Sequence, residues 1–190
     1  MSQSVFAYMG GLVTVVALSW NAVAIIRGKV QPALVSWAIW ASLDIILAAS
    51  MYAKGVLNPQ MAVAAIGAGI VFVLAIPFGK PGWNPIDKWC LAGGVAAVVL
   101  WFMTGNATLA NILSLTAIAI GCIPTYASIA EDQSREDKSF WCLAFASSGF
   151  ALLGTKEASL DALAPPIVFV VSQAIALRLL FMSRTVVRRR

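Results

Sequence analysis

The chain has 190 residues, 61% apolar and 11% charged, with 13 Lys and Arg against 8 Asp and Glu and no histidine. A soluble domain is near half apolar and a quarter charged, so there are too few charges here to cover a water-facing surface, and lipid must be part of the solvent. With no His, and its few carboxylates and thiols scattered, the chain offers no zinc, haem or catalytic-triad constellation, which argues against an enzyme and against any metal or cofactor.

Crossing about 30 Å of hydrocarbon takes about 20 mostly apolar residues. Cutting at clusters of charge, Gly, Pro and Asn predicts seven such helices, near Val5–Ile26, Ala33–Ala53, Gln60–Phe78, Pro85–Met103, Ala107–Ile129, Ser139–Leu153 and Leu163–Met182. The first lacks the basic leader of a secretory signal and reads as a retained span. Before the fourth, turn formers lead to Asn84 as N-cap, Pro85 at the first helical position and Asp87 in the first turn. Cys90, Cys122 and Cys142 fall inside apolar stretches and read as buried thiols. Trp83, Trp89 and Trp101 suit the headgroup level at the ends of the fourth helix. Gly67, Gly69, Gly93 and Gly94 read as places where helices approach closely.

Basic residues collect on the cytoplasmic side of a membrane. With seven spans, Arg27, Lys29, Lys80, Lys88, Arg135, Lys138 and the tail arginines 184, 188, 189 and 190 fall on one face, and only Lys54 and Lys156 on the other. Arg178, within the last helix, lies near the basic end. The expectation is an integral protein of a bacterial inner membrane, N-terminus outside and C-terminus cytoplasmic, with the arginine tail near anionic lipid.

Sliding the chain by 104 residues sets Trp37 on Trp141 and brings the helices of the two halves into equivalent positions. The expected fold is all-α, with two parallel three-helix repeats, 1–80 and 107–190, joined by a linker helix in 81–106. An arrangement of three helices, one linker and three more resembles the PQ-loop and SWEET-like superfamily. Pro124-Thr125-Tyr126 near the end of the fifth helix, followed by Trp141, is similar to that family's proline-containing segment, with Thr125 in place of its Gln. Trp20-Asn21 takes the equivalent place in the first half, and Gln31-Pro32 comes later, in the loop. The stretch from Gly82-Trp83 to Trp101-Phe102-Met103-Thr104-Gly105, with Pro124-Thr125, also resembles a group of bacterial seven-helix proteins, a likeness that carries no function. The superfamily resemblance implies transport, with a site between the repeats near mid-membrane.

Asp44 is the only acidic residue deep within a predicted span, and ionised and unpaired it would cost at least about 2.5–3.5 kcal/mol. It should therefore face protein or a water-filled cavity, either neutral or hydrogen-bonded to neighbours, as a substrate contact or proton-coupling carboxyl or as a group satisfied between helices. Trp37 and Trp40 precede it in steps of three and four and share its face, a stripe that fits packing between helices or the stacking and hydrogen bonding of a flat or sugar-like ligand. Trp141, Ala144 and Ser148 form the equivalent stripe in the second half, Asn21 adds an amide, and Pro124 should kink the fifth helix as a gating hinge. The substrate-binding set is thus Asp44, Trp37, Trp40, Asn21, Trp141 and Ser148, with Pro124 for gating and no catalytic residue. Asn111, Tyr126, Ser172 and Gln173 read as hydrogen-bonding partners between helices.

Two functions fit: a small-solute transporter whose halves rock about a central site, and a receptor or accessory subunit that moves nothing. A retinal protein does not, because the last helix has no lysine for a Schiff base. The partners expected are the bilayer, a small-molecule solute and, at most, further copies of this chain; nucleic acid is not among them.

Overall fold

The computed structural model describes the backbone of residues 3–80, 83 and 85–182, and all of their side chains except 86, 90, 124, 127, 128, 131 and 135. Asn84, predicted as an N-cap, and the arginine tail fall outside the described residues. The fold is all-helical, with α1 (Gln3–Ile26), α2 (Leu34–Ala53), α3 (Pro59–Phe78), α4 (Pro85–Thr104), α5 (Ala107–Glu131), α6 (Lys138–Gly154) and α7 (Leu160–Phe181), plus one short 3₁₀ turn at Gln133–Arg135.

Local chemistry explains most of the boundaries. Asn58 accepts from the backbone N–H of Met61 at 2.8 Å and is followed by Pro59 at the first position of α3. Asp137 caps α6 by accepting from Ser139 N and Phe140 N. Gly28 and Gly55 end α1 and α2 in the left-handed region, at φ +68° and +71°, where a side chain is disfavoured.

α7 begins at Leu160, three residues before the predicted Leu163. Cutting at charge leaves Asp161 outside the predicted helix, but a carboxylate in the first helical turn is favourable beside the helix's positive end. Pro165 and Pro166 also lie inside α7. Proline has no N–H, so Pro165 leaves the carbonyl of Asp161 without its intrahelical partner. Asn111 of α5 fills that vacancy, donating from Nδ2 to Asp161 O at 3.2 Å, and Thr108 donates to Asp161 Oδ2 at 2.8 Å. Replacing Asn111 with leucine should lower thermal stability in detergent by about 1 kcal/mol, as read by the melting temperature; an unchanged melting temperature would show the bond to be dispensable.

Among the described residues, five helices are long and apolar enough to cross a membrane: α1, α2, α3, α4 from Asp87 onward, and α7. The apolar part of α5, Ala107–Ile123, is shorter, and α6 has 17 residues. Large apolar side chains cover the outside, including Leu12, Ile66, Val73, Ile76 and Phe102, the last 86% exposed. Such an exterior is consistent with an integral membrane protein, whose helices meet lipid on their outer faces.

The helices pair in a definite order. α3 packs between α1 and α2, and α7 between α5 and α6; α1 meets α6, α2 meets α5, and α4 lies against α5 and α2. Small residues allow these approaches. A Cβ on Gly10 would stand 3.0 Å from Ser147 O, one on Gly11 2.9 Å from Pro59 Cβ, and one on Gly154 would run into the backbone of Ala7. Gly67 packs on Leu18, Gly93 on Ala117 and Gly94 on Leu43, whereas Gly69 faces open space. The close packing expected of Gly69 is therefore absent.

Among the described residues, Arg27, Lys29, Lys80, Lys88, Arg135 and Lys138 fall at one end of the bundle. There the α1–α2 loop meets the end of α3, with Lys80 N donating to Pro32 O at 2.9 Å and Leu34 N to Lys80 O at 3.0 Å. At the same end Trp20 Nε1 donates to Asp137 Oδ2 at 3.1 Å, Gln133 Nε2 to Leu179 O at 2.6 Å, and Lys138 Nζ lies 5.2 Å from the centre of the Phe181 ring. Lys54 and Lys156 follow α2 and α6 at the other end. The core cluster around Leu43, Leu47, Met51, Met61, Leu115 and Ile118 joins α2, α3 and α5.

Candidate functional site

A cavity of about 580 Å³ runs between the helices, within the range of small-molecule sites. Its mouth is at the basic end, among the loop residues 28–33 with Lys80, Asp87 and Glu136, and it descends past Asp44 to Gln60 at the start of α3. Six helices contribute their inner faces, whereas among the described residues α4 supplies only Asp87, at the mouth.

α2 carries the predicted stripe into this space. Trp37, Trp40 and Asp44 all line it, with the two indoles edge to face at 5.5 Å and 72°. The start of α2 is held by Ser36, whose Oγ donates to Asp87 Oδ1 at 2.9 Å. Asp44 makes no hydrogen bond or ion pair with any described residue, so its carboxyl is open to the cavity. α1 contributes Asn21 and Thr14, whose Oγ1 is returned to Gly10 O at 2.8 Å. Asn21 is buried and also lacks a partner among the described residues.

From α6, Trp141 lines the opposite wall, its Nε1 donating to Glu136 Oε2 at 3.1 Å and its ring edge to face with Phe140. Ser148 stands elsewhere. It is fully buried behind the wall, where Gln173, with its amide oriented by the surrounding hydrogen bonds, donates to Ser148 Oγ at 2.9 Å. Gln173 rather than Ser148 reaches the cavity. The side chain of Pro124 lies outside the described residues; Thr125 beside it lines the cavity.

Further polar residues that were not singled out as ligands also line the cavity, Gln60 and Ser172 among them. Gln60 closes the far end, 4% exposed and without a hydrogen bond to any described residue, and Ser172 joins it from α7. The signal for Gln60 was faint but present: Gln60, Ala64 and Ala68 recur every four residues as a small or polar stripe on an apolar helix, and all three line the cavity.

No family model, curated protein or solved structure matches this chain. The cavity itself must therefore carry the functional reading. Among the described residues no three of His, Cys, Asp and Glu converge.

At the mouth, half-buried Glu136 has its carboxyl pushed above its ordinary value of 4.5, chiefly by burial; the Trp141 N–H opposes the shift and neighbouring Asp137 adds to it. A carboxyl raised in this way holds its proton more tightly folded than unfolded, so folding loses stability as pH rises from about 4.5 through the raised value. Glu136→Gln should flatten that part of the stability-pH curve. A curve with the same slope in variant and parent would remove Glu136 as its source.

Proposed function

We propose that this protein is a small-solute carrier of the membrane, in which two three-helix bundles joined by α4 alternate the exposure of a central site. The observation that carries the reading is the cavity: open at one end, lined by six helices, and furnished with a carboxyl and two amides, at Asn21 and Gln60, that the described residues leave unsatisfied. Buried polar groups normally find partners, and a solute would supply them.

The pairing of the helices supports the three-one-three division. Exchanging the first three helices with the last three turns α1–α3–α2 into α5–α7–α6, and the contact of α1 with α6 into that of α5 with α2. The resemblance to PQ-loop and SWEET-like proteins points the same way. Seven spans, with the basic end in the cytoplasm of a bacterial cell, follow from the charge distribution. Single cysteines should then be labelled from outside intact cells at Lys54 and not at Arg135; the reverse pattern would overturn the orientation.

Purified protein in liposomes should take up one or more members of a panel of sugars, nucleosides, vitamins, small acids and organic cations, saturably and above protein-free vesicles. If none of the panel moves, the protein is a receptor or scaffold built on the same frame.

A further inference from the structure

Resting on the carrier reading, we infer that the solute is a small organic cation, with Asp44 as its counter-charge and the indoles of Trp37, Trp40 and Trp141 as its walls. Among the described residues that line the cavity below the mouth, Asp44 is the one carboxyl and there is no Lys or Arg; Lys29, Lys80, Asp87 and Glu136 all stand at the entrance, two basic and two acidic. An anion descending to Asp44 would meet a like charge with no compensating cation. A neutral solute would strip water from the carboxylate and return only a neutral hydrogen bond. A cation satisfies it with a charge-assisted bond.

The walls suit the same ligand. An indole attracts a cation to its face, and the attraction strengthens where water is excluded. Asn21 and Gln60 hold amides open to the space, without partners among the described residues, and their carbonyl oxygens accept N–H donors from an ammonium or amidinium group. Among the described residues Asp44 has no internal cation, which leaves its charge to be met from outside.

Three probes of one shape and different charge separate the alternatives: 2-phenylethylammonium, 2-phenylethanol and phenylacetate, titrated by calorimetry into the full chain in nanodiscs. The ammonium should bind saturably and about 10- to 100-fold more tightly than the alcohol, the margin of a hydrogen bond to a charged group, and phenylacetate should not bind. Asp44→Asn should erase the preference and Asp44→Glu keep it. Equal binding of the alcohol or the acid, no saturable binding by any of the three, or a preference that survives Asp44→Asn would overturn the proposal. The wild-type series decides even if a variant fails to fold. Preferential binding of the ammonium without its flux into liposomes would remove the carrier reading and leave the cation site standing; flux of a neutral solute with no ammonium preference would do the opposite.

Discussion

Asp44→Asn is expected to lower solute uptake about 10- to 100-fold while leaving the melting temperature unchanged or higher. The carboxyl lines the cavity and no described residue bonds to it, so no contact of the fold depends on its charge. Asparagine has nearly the same shape, and it carries no charge, whereas an ionised, unpaired carboxyl at mid-helix would cost at least about 2.5–3.5 kcal/mol in the bilayer. A solute bonded to the carboxylate would lose about 1.5–3 kcal/mol, which sets the fold-change in flux. Stability and transport should thus move independently. A large drop in melting temperature with flux retained would make Asp44 a structural group.

The second large effect concerns the seam between α1 and α6. Near one end of it Gly154 lies against the backbone of Ala7, and deeper in, a Cβ on Gly10 would press on Ser147 O and come within 3.1 Å of Ala151 N. Backbone cannot swing aside as a side chain can, so Gly154→Val must part the two helices, at a cost of about 3 kcal/mol. The variant should fail to give a monodisperse peak in size-exclusion chromatography. Gly69→Ala is the control, because nothing lies within 4 Å of a Cβ there; it should be as stable as the parent or gain about 0.5–1 kcal/mol from better helix propensity. If both behaved alike, close approach of α1 and α6 would not limit stability.

Helix positions were legible in the sequence because apolar runs are long and the turns between them carry Gly, Pro, Asn and charge. The start of α7 was missed by three residues because the cut at charge excluded Asp161, which serves the first turn. The order of helices across the bundle was not legible, since α3 packing between α1 and α2 leaves no local mark. The same divide runs through the cavity. Trp37, Trp40 and Asp44 share a helix, so spacing alone put them on one face. Gln173 and Ser148 lie on different helices, and only packing could reveal that one holds the other and takes its place at the wall. Gln60 resembled a helix-start residue, and the inward aim of its stripe depends on where α3 sits.

Alternating access can be tested without knowing the solute. With Cys90, Cys122 and Cys142 replaced by serine or alanine, a single cysteine at Ala144, a cavity-lining position, can be challenged from either face of the membrane with an impermeant thiol reagent. A carrier should be modified from both sides, more slowly from the face away from the basic end, where buried Gln60 lines the cavity. Modification from the basic side alone, at every temperature and solute condition, would contradict transport and leave a cavity that opens in one direction.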